Sequence, residues 1–99
     1  MSNETNATEL SVYEMMSKAN AAFEAKDYAT ALPLYEKAAE QGDADAQNNL
    51  GCMYYNGDGV AQDYNKAREW YEKAAENGCE EAKQVLADWE NKGANNGEA

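Results

Sequence analysis

The sequence predicts an all-α fold: a right-handed α-solenoid of antiparallel helix hairpins, with about five helices in its 99 residues. Three observations carry this. Leu34–Gly42 reads LYEKAAEQG and, 36 residues on, Trp70–Gly78 reads WYEKAAENG. Between Asp27–Leu50 and Asp63–Leu86, 12 of 24 aligned positions are identical. A self-match at such an offset marks a stacked repeat, in which each unit buries its apolar face on the next. Within the unit, Tyr28, Ala31, Tyr35, Ala38 and Ala39 recur at steps of three and four, as do Tyr64, Ala67, Tyr71, Ala74 and Ala75. That is the spacing of one helix face.

The first helix is expected over about Thr8–Ala25, with Leu10, Tyr13, Ala19 and Ala22 among its inward positions. The second, about Ala29–Gln41, stops at Gly42, a residue suited to the left-handed C′ position. Pro33 falls four or five residues into it. A start at Ala29 leaves the missing N–H in the first turn, whereas an earlier start requires a bend. The sequence leaves both open. Asp43 is a ready N-cap for the third helix, about Ala44–Tyr55, with Asp45 in its first turn. That helix turns Ala46, Leu50, Met53 and Tyr54 inward and ends at the turn Asn56-Gly57-Asp58-Gly59. The fourth runs over about Tyr64–Asn77 before Gly78, and the fifth over about Glu80–Asn91. Glu80 and Glu81 favour the helix dipole there. Short loops make neighbouring helices antiparallel. One domain, 8–92, is expected, with hairpins over 8–41 and 44–77 and a capping helix over 80–91. Met1–Ala7 and Gly93–Ala99, rich in Asn, Gly and Glu, are expected to be disordered tails.

With these elements in place, Leu50–Gly78, LGCMYYNGDGVAQDYNKAREWYEKAAENG, resembles the Sel-one-like repeat, a relative of the tetratricopeptide repeat. The matching features are Ala46, Leu50-Gly51, Tyr54, the Gly57-x-Gly59-Val60 turn, Asp63, Lys66-Ala67, Trp70-Tyr71, Lys73-Ala74-Ala75 and Gly78. The first hairpin, Ala19–Ala38, resembles the ordinary tetratricopeptide type, because Lys26-Asp27 leads directly into Tyr28 without a glycine turn. The last helix keeps Ala82 and Leu86 but has Ala87 and Glu90 where the motif has Gly and Tyr, as a terminal cap would. Small residues at Gly51, Ala38, Ala67 and Ala74 let backbones approach, and Tyr35, Tyr54, Trp70 and Tyr71 fill the spaces.

Composition argues against chemistry. Histidine is absent, which removes the commonest general base and zinc ligand. Cys52 and Cys79 cannot complete a zinc site, and their register separates them by ~13 Å at the helical rise. Free thiols are expected. A calcium loop counted from Asp43 would need Gly and Glu where Asn48 and Tyr54 stand. Gly57-x-Gly59 follows no strand and sits among negative charge, so it is no phosphate loop. The expectation is a protein without catalytic residues, metal or cofactor. Eight Lys plus Arg against nineteen Asp plus Glu, a net charge of −11, disfavour nucleic acid and anionic lipid. Asn3 and Asn6 fit the glycosylation sequon, but no signal peptide or membrane span is visible, so the chain as given reads as cytoplasmic.

What remains is surface recognition. The resemblance places the first helix of each hairpin on the concave side, where related repeats use Asn side chains to hold a peptide backbone. Relative to Leu50-Gly51, the outward residues there are Asp45, Asn48, Cys52, Tyr55 and Asn56. Register transfer gives Tyr13, Met16, Asn20 and Phe23 on the first helix and Glu81, Gln84, Asp88 and Asn91 on the last. The expected function is a non-catalytic protein-interaction module whose concave face takes a basic peptide or protein, as a monomer or weak homodimer. Alternatives are a structural oligomerisation unit, with Trp89 near the exposed face of the last helix, and an acidic decoy of a nucleic-acid-binding surface.

Overall fold

A computed structural model describes residues 10–98, with side chains through Asn91. Five helices follow one another: α1 Val12–Glu24, α2 Tyr28–Glu40, α3 Ala44–Asn56, α4 Tyr64–Glu76 and α5 Glu80–Glu98. Among the described residues there is no strand. The 1–7 tail lies outside them. The helices form a hairpin solenoid, each packing chiefly on its neighbours in the chain.

Four helices start in the same way. Asp27, Asp43 and Asp63 each accept the backbone N–H three residues on, from Thr30, Ala46 and Lys66 at 3.3, 2.8 and 3.0 Å. Ser11 accepts from the Glu14 N–H at 3.1 Å, and the Glu14 carboxylate accepts from the Ser11 N–H at 3.0 Å. This capping box fixes the start of α1 at Val12, later than the Thr8 expected from periodicity. At the other end, α5 continues to Glu98 rather than stopping near Asn91. No proline interrupts 92–98, and the backbone of Gly93 is compatible with a helix at a modest cost.

Pro33 is the sixth residue of α2, which starts at Tyr28. The N–H it lacks would have met the carbonyl of Ala29. Its ring is exposed, so water reaches the region left without that bond.

The core runs along the stack in two clusters. Met15, Ala19 and Ala22 of α1 meet Ala31, Tyr35, Ala38 and Ala39 of α2 and Ala46, Leu50 and Met53 of α3. Ala67, Tyr71 and Ala74 of α4 meet Cys79 and Ala82, with Cys52 and Tyr54 packed against them. Tyr35, Leu50 and Met53 are the largest fully enclosed side chains; burial of each stabilises the fold by roughly 1.5–3 kcal/mol. Tyr13, expected inward, is 82 % exposed, and Met15 holds the inward position instead. Tyr13 shares its helix stripe with Leu10, but α1 begins only at Val12 and turns its Met15–Ala19–Ala22 edge to α2.

Two glycines of the expected motif have clear steric roles. A Cβ on Gly51 would stand 2.9 Å from the Tyr71 ring, so this glycine admits an aromatic ring rather than a neighbouring backbone. Gly59, at φ +74, would set a Cβ 2.5 Å from Cβ of Tyr28. The glycine turn between α3 and α4 therefore lies directly on the start of α2, and only hydrogen at Gly59 permits it.

Candidate functional site

The first helices of successive units, α1, α3 and α5, converge on one side of the stack. Between them is an open groove of about 460 Å³, within the roughly 300–1,000 Å³ common for ligand sites. Its walls are Met16 and Asn20 from α1, Asp45, Asn48 and Asn49 from α3, and Gly78, Cys79, Glu80 and Glu81 at the start of α5. Met16, Asn20, Asp45, Asn48 and Glu81, five of the residues assigned to the concave face by register, are among its walls.

The groove is internally braced. Asn20 accepts a hydrogen bond from the Tyr35 hydroxyl at 2.6 Å. Tyr35 is 1 % exposed, and burial pushes its pKa up to about 12. Asn48, expected to point outward, is buried at 7 % exposure. Its Nδ2 donates to Glu81 Oε1 at 3.3 Å, while its Oδ1 has no hydrogen-bond partner. Neighbouring Gln47, also buried, donates to the carbonyl of Ala39 at 3.0 Å and accepts from Asn77 Nδ2 at 2.9 Å.

Other residues assigned to the concave face lie apart from the groove. Phe23 packs edge-on against Tyr28 and Tyr35, with ring centroids 5.5 and 6.2 Å away. Cys52 is half-buried, and its Sγ accepts from the Tyr71 hydroxyl at 3.1 Å. Burial, followed by this sulfur partner, raises the Tyr71 pKa above its ordinary value. Both cysteines are free thiols. Tyr13 stands largely in solvent on α1, and Gln84 donates to Asp88 at 3.2 Å on the exposed surface of α5.

Tyr55 belongs to a separate aromatic cluster. Its ring centroid lies 5.1 Å from Tyr64 and 5.4 Å from Trp89, and Trp89 also meets Tyr71 at 6.2 Å. Rings this close touch one another, which leaves no gap for a cation between their faces. Tyr55 and Tyr64 nevertheless remain 42 % and 53 % exposed.

Sequence reasoning did not anticipate Asn49, Gly78, Cys79 or Glu80 in the groove wall. The last three precede or open α5, and only the convergence of α5 on α3 brings them in. The paired start signals Asp27 and Asp63 were visible as identical repeat positions, and their N-capping role could have been read from them.

Among the described residues, no group of three or more His, Cys, Asp or Glu side chains could hold a metal ion. No helix there is long and apolar enough to cross a membrane. Residues 22–43 and 44–79, more than half of the chain, match the model of the Sel1 repeat. The shorter first match fits a first hairpin without the glycine turn. A stretch of 36 residues, 36 % of this chain, is 61 % identical to an uncharacterised protein of Neisseria meningitidis serogroup B. It spans 8 % of that relative's length.

Proposed function

The chain belongs to the Sel1 repeat family, whose repeats are non-catalytic modules of protein–protein interaction, and from that premise we propose that its groove between α1, α3 and α5 binds a basic segment of a partner protein in the cytoplasm. The observation that carries this reading is the meeting of Asn20, Asp45, Asn48 and Glu81, from three helices, around one open space. Among the described residues, no Lys or Arg lines it. Asp45 and Glu81 take part in no ion pair among the described residues. Their field favours a cationic partner and repels nucleic acid or an acidic peptide.

Capture from a lysate tests the reading, with Asp45→Lys/Glu81→Lys set against the unaltered chain. Both side chains are exposed, and the circular dichroism of the variant checks that the fold survives the loss of the Asn48–Glu81 bond. A partner retained by the unaltered chain should be lost by the variant. Equal recovery of the same partner from both rules the groove out.

A second reading rests on the exposed edges of Tyr55 and Tyr64 beside Trp89. An aromatic surface of this kind suits a contact between two copies. Light scattering over a range of concentrations decides it: a constant monomer mass eliminates self-association.

A further inference from the structure

Resting on the groove reading above, we propose a more specific occupant: a single lysine or arginine side chain of the partner protein, with Glu81 as its counter-charge and Asn48 as the residue that positions Glu81. Two independent observations lead there. The first is Asn48 itself. It lines the groove, is 7 % exposed, and leaves Oδ1 without a partner. Folded proteins pair nearly all such buried acceptors with protein, ordered water or a ligand, so Oδ1 is an acceptor still to be filled at the groove wall. The second is the charge of the walls. Asp45 and Glu81 are unpaired among the described residues, and only Glu80 has a cation, Lys83 Nζ at 3.2 Å.

The chemistry narrows the ligand. A carboxylate or phosphate would confront Glu80, Glu81 and Asp45 together. A neutral peptide group could donate to Asn48 but would leave both unpaired carboxylates uncompensated. A lysine or arginine head answers both needs, since it carries only donors and a positive charge. Its aliphatic stem finds Met16, half-buried on the α1 wall. The existing Asn48–Glu81 bond, 3.3 Å, is longer than the about 2.7–2.9 Å of a strong charge-assisted bond. Glu81 is therefore oriented by Asn48 yet free to turn toward an incoming cation.

The test is a titration of isotopically labelled full chain, followed by nuclear magnetic resonance. The probes are three acetylated, amidated pentapeptides with arginine, lysine or citrulline at the centre, flanked by glycine and alanine. Citrulline keeps the shape of arginine without its charge. The arginine and lysine peptides should shift the Asn48 side-chain amide and the backbone amides of Asp45 and Glu81 saturably, and citrulline should not. Glu81→Gln retains an acceptor for Asn48 but no charge, and should weaken binding at least about tenfold, the scale of a lost charge-assisted contact. If citrulline binds at the same signals equally well, the cationic socket is wrong and backbone recognition in the same groove survives. Shifts that spread over the acidic surface without saturating overturn the socket as well. So does silence from all three peptides, and the charge-reversal capture experiment then decides the groove separately.

Discussion

Lys26 is the described non-glycine residue with a left-handed backbone, at φ 64. It stands in the first hairpin at the turn where the second hairpin spends two glycines. A Cβ in this region costs about 1–2 kcal/mol, part of which the extra freedom of an unfolded glycine takes back. Lys26→Gly should therefore stabilise the chain by about 0.5–1 kcal/mol, read as a higher denaturant midpoint; a lower midpoint contradicts the assigned strain. Tyr35 makes a second prediction. Its folded pKa of about 12 exceeds the ordinary 10.0 because burial disfavours the phenolate. The unfolded chain thus ionises first as pH rises. The contribution of Tyr35 is complete below pH 10 and is lost as pH climbs toward 12. Tyr71 is shifted the same way and adds to the loss. Stability should fall steeply across this window, and the fall should be shallower in Tyr35→Phe. A profile unchanged by that substitution removes Tyr35 as its cause.

At the scale of the helix, Pro33 and Gly59 mark opposite outcomes of local strain. Pro33 sits past the first turn of α2, where its repeat counterpart is Glu69, and nothing in the helix regains the hydrogen bond lost at Ala29. Pro33→Glu should stabilise α2 by about 1–3 kcal/mol, measured by thermal or chemical unfolding; no gain would mean the surroundings already accommodate the ring. Gly59 is the reverse case. With φ at +74 and Tyr28 Cβ only 2.5 Å from any added Cβ, Gly59→Ala should cost at least about 2 kcal/mol. These helices were largely legible in the sequence, because the Tyr28–Ala39 and Tyr64–Ala75 stripes repeat and Gly42, Gly57 and Gly78 punctuate them. The start of α1 is not legible from periodicity, since Leu10 continues the apolar pattern while the Ser11–Glu14 box starts the helix after it. The groove was legible only in outline. Register brought Asn20, Asp45 and Glu81 to one side, but periodicity cannot tell a solvated Asn48 from a buried one. That distinction depends on how closely α5 approaches α3 and where Glu81 then reaches.

For the whole molecule, the decisive property is that a solenoid is stabilised by contacts between neighbours, with no central core shared by all helices. Coupling between the units must then run through residues such as Gln47. This side chain on α3 reaches back to the Ala39 carbonyl at the end of α2 and forward to Asn77 at the end of α4. Gln47 is 4 % exposed, so the bond to Ala39 is shielded from water and the bond to Asn77 is shielded in part. Gln47→Met keeps the approximate volume while removing both bonds, and it leaves the Asn77 amide without this acceptor. The expected cost is about 1–3 kcal/mol, near the penalty for an abandoned buried polar group. Its distribution is more informative than its size. Because units interact only with neighbours, loosening this tie should lower hydrogen-exchange protection in α4 and α5 more than in α1 and α2. An equal loss across all five helices would mean that the stack opens as one cooperative body. The groove gives this a functional consequence, since its walls come from α1, α3 and α5. A chain whose last two helices open separately holds the Glu81 wall only part of the time. Gln47→Met should accordingly weaken capture of a groove-bound partner even though Gln47 itself does not line the groove, whereas unchanged capture would show that the α5 wall stays docked without this tie.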